Sequence, residues 1–205
     1  MKNVRHFSTL ASSLVLLLGG FVQEAPAQIW GSRAPNAPMR KASDMIGRQP
    51  GPKINKELEA VINPGNSHVV VSLSKQRVYL MTGDQVYIDS PISSGKAGHS
   101  TPRGDFSVLE KDADHRSSVY GNFVDRSGRT VRAGVSTKID SAPSGTHYEG
   151  APMKWFCRLT ATGVGMHIGI LPGYAASHGC IRLPAEIAPI IYSKVRVGTR
   201  VVVEA

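Results

Sequence analysis

Three runs of β-branched and aromatic residues follow one another almost without interruption: His68–Leu73 (HVVVSL), Arg77–Met81 (RVYLM) and Val86–Ser90 (VYIDS). Only Ser74-Lys75-Gln76 and Thr82-Gly83-Asp84-Gln85 separate them, so the chain turns back on itself twice as a meander of antiparallel hairpins. Phe106–Glu110, Trp155–Thr160, Val164–Ile168 and Arg200–Glu204 read as further strands. One helix stands out near the C-terminus, with Pro184 in its first turn and Ile187, Ile190 and Ile191 at helical spacing. Residues 111–150 are polar and Gly-rich with little periodicity, and are expected to be a long loop or a lid. No internal repeat is present. The fold expected is mainly β with one notable helix.

At 205 residues the chain has room for one ordinary domain plus appendages, and 41% hydrophobic content is enough to bury a core. Two cysteines exclude a cysteine-rich secreted scaffold. Lys2 and Arg5 precede a 13-residue apolar stretch, Leu10–Val22, and Ala25-Pro26-Ala27 supplies small residues for cleavage. A spanning helix needs about 20 apolar residues. Residues 1–27 are therefore expected to be a signal peptide, against an uncleaved anchor or a buried helix. The mature protein is then exported to the periplasm or cell wall and is not a stable membrane protein after cleavage. Residues 28–66, with Pro35, Pro38, Pro50, Pro52 and Pro64 among glycines, read as a Pro/Gly-rich tether holding one short helix at Ile54–Ile62. The foldable domain is 67–205. The net charge of +9 suits an anionic cell-wall polymer or membrane headgroups, though it serves general solubility equally well. The basic residues are scattered and no nucleic-acid-binding signature is present, so no nucleic acid partner is expected.

Most of the chemistry lies in Met166-His167-Ile168-Gly169 and Ser177-His178-Gly179-Cys180-Ile181-Arg182-Leu183. Cys180, between a Gly-His pair and an arginine, with His167 upstream, has the components of a thiol nucleophile and an imidazole base. A nearby imidazole lowers a thiol pKa towards neutrality, which makes thiolate available. Gly179 lets consecutive amides face a developing oxyanion, and Arg182 offers a planar fork to a carboxylate. Two alternatives stay open on these residues: a disulfide joining Cys157 to Cys180, and a zinc site made of His167, His178 and Cys180. His115 stands in a polar stretch that reads as solvated loop or substrate contact. His68, His99 and His147 have no identifiable partners, and Trp155 and Tyr174 read as cleft lining or as packing.

Ser177-His178-Gly179-Cys180-Ile181-Arg182 resembles the signature of the L,D-transpeptidase (YkuD-type) catalytic domain family. Ser93-Ser94-Gly95-Lys96 followed by Thr101-Pro102-Arg103-Gly104-Asp105-Phe106 is similar to that family's second recurrent stretch, and the hairpin around Ser72–Leu80 to its opening strands. The resemblance covers about residues 67–204 and implies a mixed β-sandwich. It implies action on peptidoglycan stem peptides after the L-centre of the third residue, commonly meso-diaminopimelate, with release of terminal D-alanine. Cys180 then forms a thioester, and His167 takes the thiol proton and later activates the acceptor amine. The carbonyl just after His167 orients its ring. The amides of Gly179 and Cys180 serve the oxyanion. Arg182 positions substrate, with Ser177, His178 and Tyr174 beside it, the first two bracing the loop. The acceptor is a second stem, a wall-attached protein, or water, and neither cofactor nor metal is implied. Only nine residues (168–176) separate His167 from Ser177, a shorter insert than many members carry.

Overall fold

The computed structural model describes residues 49–205. The expected signal peptide (1–27) and the first part of the expected tether (28–48) lie outside the described residues. In chain order the elements are β1 (Lys53–Ile54), β2 (Ser67–Ser72), β3 (Arg77–Thr82), β4 (Gln85–Pro91), β5 (Gly104–Ser107), β6 (Glu110–Asp112), β7 (Arg116–Asp125) and β8 (Thr130–Ser136), followed by β9 (Thr146–Pro152), β10 (Phe156–Arg158), β11 (Gly165–Ile168), β12 (Ile181–Leu183), α1 (Ala188–Lys194) and β13 (Arg200–Glu204).

The meander is present as β2-β3-β4, with Val69 opposite Leu80 and Leu80 opposite Ile88. Period-2 alternation sends Val69, Val71, Val78, Leu80 and Ile88 to one face, where all are fully buried. β13 runs parallel to β2 and antiparallel to β5, so the last strand is inserted between them and completes a six-stranded mixed sheet, β1-β4-β3-β2-β13-β5. A second mixed sheet, β12-β11-β10-β6, holds the parallel pair β11/β12. Val69, Leu80 and Val201 from the first sheet share one apolar cluster with Met166 and Ile181 from the second and Ile191 from α1. Each such side chain contributes about 1.5–3 kcal/mol on burial. The result is the β-sandwich expected.

The helix begins later than its sequence pattern places it. Ile187 and Ala188 donate to the Pro184 carbonyl in a separate turn, and Pro189 occupies the first helical turn of α1 instead. The last part of the stretch read as a tether belongs to the sandwich: β1 pairs with β4, Leu58 and Ile62 enter the core, and Gln49 Nε2 donates to the Gln76 and Ile92 carbonyls. The helix expected at Ile54–Ile62 is a single 3-10 turn, Lys56–Leu58, capped by the Asn55 side chain. Among the described residues no helix is long and apolar enough to cross a membrane.

Residues 111–150 are not a loop. They hold most of a three-stranded antiparallel sheet, β8-β7-β9. Its buried Phe123, Val124 and Val135 stand outside the common core cluster, so this sheet carries a small apolar patch of its own. Gly121 and Gly150 face each other across β7 and β9, and a Cβ on either would lie 2.1 Å from a carbonyl oxygen of the opposite strand. Only glycine allows that approach.

Candidate active site

The Ser177–Cys180 segment is held by backbone on one side and by buried hydroxyls on the other. β11 and β12 run parallel with His167 opposite Arg182, which places Cys180 one residue before β12, next to the histidine strand. The segment docks on Ser93–Gly95: Ala176 and Ser177 amides donate to the Ser94 carbonyl, each at 2.9 Å, and Ser93 and Arg182 exchange both backbone bonds. Gln76, left-handed at φ 51° in the β2–β3 turn, clamps Ser94 from behind through its side-chain amide. Buried Thr101 donates its hydroxyl to the Gly179 carbonyl at 2.8 Å and accepts the Gly95 amide at 2.9 Å. Ser177 Oγ donates to the Cys180 carbonyl and accepts from the Gly179 amide at 3.1 Å. Gly179 has φ +120°, a backbone that L side chains rarely adopt, so the residue before the cysteine is glycine for conformational reasons.

Thr101→Val keeps the shape of that hydroxyl-bearing side chain but leaves a carbonyl and an amide without a partner. A loss of about 2 kcal/mol in unfolding free energy is expected, read from the urea midpoint at constant slope. A change below a few tenths of a kcal/mol would show that the hydroxyl does not hold the loop.

His167 and Cys180 both line a cleft of about 830 Å³, whose opposite wall comes from β7 and β9 through Tyr120 and Pro152. Part of the 111–150 stretch therefore forms a wall of this cleft, as a sheet. His167 is buried, and its Nδ1 lies 2.6 Å from the Ile168 carbonyl, the contact assigned to the carbonyl after this histidine. Nδ1 therefore carries the proton, and Nε2 is the basic atom. Burial lowers the His167 pKa to about 4, against the pull of that hydrogen bond. Burial also pushes the Cys180 thiol up, opposed by the Gly165 amide and the guanidinium groups of Arg182 and Arg158. This burial works against the thiolate that a neighbouring imidazole favours. Desolvation penalises the charged form of each group.

The two alternatives for Cys180 do not form. Cys157 pairs with Met166, which pairs with Ile181, so two strand spacings, about 9–10 Å, separate Cys157 from the β12 strand. A disulfide spans at most about 7 Å between Cα atoms, and both cysteines are free. Cys157 is a buried hydrophobe whose thiol burial pushes up to about 12. The His178 ring is sandwiched between Tyr120, stacked at 4.5 Å, and His99, edge-on at 4.8 Å. Among the described residues no three His, Cys, Asp or Glu side chains are grouped to hold a metal ion, so His167, His178 and Cys180 do not make a zinc arrangement.

The model of the YkuD L,D-transpeptidase catalytic domain matches residues 66–203. The chain belongs to this family. Solved structures share the fold: an L,D-transpeptidase from Mycobacterium smegmatis at 24% identity and TM-score 0.52, an LD transpeptidase in complex with imipenem at 22% and 0.51, and the Ldtfm–avibactam carbamoyl enzyme at 24% and 0.51. Each alignment covers 68% of this chain but only 59%, 59% and 49% of the respective neighbour, so the chain spans less than two thirds of their lengths. No curated protein matches it.

On this YkuD frame the expected residues divide. Cys180, His167, Arg182, Ser177 and His178 all border the cleft, whereas Tyr174 is exposed and only its carbonyl is engaged, accepting from Ser93 Oγ at 2.7 Å. Tyr174, on the short 168–176 turn, is not among the residues that line this cleft. Of the two amides expected at the oxyanion, that of Gly179 already donates to Ser177 Oγ, which leaves Cys180 N–H. Trp155 packs on Tyr192 against the core and does not line the cleft. Sequence reading passed over Gln76, Tyr120 and the pairing of His99 with His178. Gln76 and Tyr120 lie in a turn and in a polar strand without periodicity, and His99 meets His178 only across the folded loop.

Proposed function

We propose that this chain is an exported peptidoglycan L,D-transpeptidase with Cys180 as nucleophile and His167 as base. The family acts on peptidoglycan stem peptides. The observation that carries the reading is a half-buried thiol just before β12 and a buried imidazole on the adjoining parallel strand β11, both lining one cleft. Among the described residues that line it are Lys138, Arg158 and Arg182 but no Asp or Glu, so an anionic donor such as a stem ending in D-alanine is drawn in. Burial disfavours the charged form of both groups, so the thiol gives its proton to His167 Nε2 as sulfur attacks the carbonyl of the third stem residue. The imidazolium returns that proton to the departing D-alanine amine, leaving a thioester. An amine then takes the acyl group, and the bond to sulfur breaks. Arg182, whose Nη1 lies 3.5 Å from the Ile170 carbonyl, flanks the cleft as the positioning cation. Ser177 and His178 brace the loop beside the substrate. Export to the periplasm or cell wall through residues 1–27, and a second stem or a wall-attached protein as acceptor, complete the proposal.

The test is to incubate the mature protein with tetrapeptide-bearing muropeptides and read products by mass spectrometry. Dimers with loss of D-alanine support transpeptidation. Tripeptide monomers alone keep the site but move the reaction to an L,D-carboxypeptidase, and no D-alanine release overturns the reading. Structural neighbours are described with imipenem and as an avibactam carbamoyl enzyme. On the proposed role of Cys180, a carbapenem is expected to add its mass to Cys180 of the active protein, and an unmodified intact mass would count against an accessible thiol.

A further inference from the structure

A reaction that joins an anionic donor to an amine needs a place for the amine, and a cleft lined by Lys138 and Arg182, with Arg158 paired to Glu110, does not favour an ammonium beside those cations. One point on the cleft wall differs. His115 lines the cleft, and its Nδ1 lies 3.1 Å from Asp112 Oδ2. Its ring lies flat on buried Phe156, centroids 4.2 Å apart and 11° from parallel, and its carbonyl accepts the Met153 amide at 2.8 Å. Three contacts therefore fix the ring: a stacked face, a carboxylate on Nδ1 and a tethered backbone. With Nδ1–H given to Asp112, Nε2 is the acceptor, and among the described residues no protein group bonds it and it is not sealed from solvent. Phe156 also lies 6.3 Å from the His167 ring, so the two histidines flank the same aromatic.

We propose that His115, backed by Asp112, is the acceptor-amine subsite, binding the incoming ammonium and taking its proton before it attacks the thioester. This rests on the transpeptidase reading above and divides its labour differently from the resemblance, which gives His167 both proton transfers. His167, desolvated to a pKa of about 4, is a poor partner for an alkylammonium. The carboxylate of Asp112 stands where the charge of an imidazolium would develop. The steps balance: the ammonium gives one proton to His115 Nε2, and the neutral amine forms the C–N bond. The amine's surplus proton passes through His167 to the Cys180 sulfur as the C–S bond breaks, and His115 returns its proton to water. Water as acceptor needs no such subsite.

The experiment gives a D-alanine-terminated tetrapeptide donor and a tripeptide acceptor with a free side-chain amine to the wild type, His115→Gln and Asp112→Asn. Cross-linked dimer and hydrolysed tripeptide are quantified against acceptor concentration. The expected result is at least a tenfold fall in the dimer-to-tripeptide ratio for His115→Gln, with a raised KM for the acceptor and an unshifted KM for the donor. Asp112→Asn, which keeps the ring stacked on Phe156, is expected to fall the same way by a smaller factor, and it answers the question if His115→Gln does not fold. Ratios and acceptor KM within twofold of wild type in the folded variants overturn the subsite alone. Absence of D-alanine release by the wild type overturns the transpeptidase reading and the subsite with it.

Discussion

Cys180→Ala is expected to abolish acyl transfer while leaving the sandwich folded. Removing the nucleophile from an acyl-transfer site costs on the order of 10⁶ in kcat. The structure supplies no substitute, because Cys157 lies on the far side of β11, fully buried, with its thiol pushed up to about 12. The cost in stability is small by comparison, about 1 kcal/mol, since the thiol's one hydrogen bond is a weak 3.7 Å contact to the Gly163 carbonyl and a single sulfur is lost. Product formation and the urea midpoint on the same preparation separate the two effects. Full activity in the folded variant would remove Cys180 from the mechanism. Loss of both activity and fold would make its role a packing one.

His167→Gln is expected to lower kcat/KM by about 10²–10⁴, the range for a positioned acid–base group, and to change two pH dependences whose signs differ from those of a preformed ion pair. For activity, the base is competent when neutral, so the wild-type rate falls only as pH drops through about 4. Alkylation of Cys180 by iodoacetamide rises on the alkaline side, because burial holds the thiol up. Rapid alkylation at pH 6 would overturn the neutral pair. For stability, the unfolded chain protonates this histidine below about 6.5, whereas the folded one does so only near 4. The unfolded state thus binds more protons in that window. Stability present above pH 6.5 is lost as pH falls towards 4, by about 2 kcal/mol between pH 7 and pH 5. His167→Gln lacks this component, and urea midpoints at the two pH values read the difference. Equal pH sensitivity in both proteins would show that burial at His167 is not its source.

The placement of these groups explains how much of the site was legible. His167 and Arg182 lie within β11 and β12 and Cys180 just before β12, next to the buried apolar Met166 and Ile181. Strand periodicity and the short Ser-His-Gly-Cys block therefore pointed to them directly. Gln76 and Thr101 act through atoms that meet the loop only after β2–β3 and the Ser93–Thr101 segment have folded against it. In the sequence one is a turn residue and the other a member of an upstream stretch.

By itself the sequence determined the meander and the order of the main strands, and it singled out the thiol and imidazole proposed as nucleophile and base. Alternation of Val69, Val71, Val78 and Leu80 leaves a sheet only one face to bury. Tertiary structure decided the rest. It set the direction in which each pKa moves, because desolvation depends on what surrounds a group and not on its neighbours in the chain. It separated Cys157 from Cys180 by a strand. It also turned a polar stretch into β7-β8-β9, whose strands bury few side chains and whose β8 is mostly exposed, so that no hydrophobic period marked them. That sheet exists through strand pairing and the Gly121–Gly150 contact. Backbone hydrogen bonds between residues distant in sequence leave no pattern in the order of side chains.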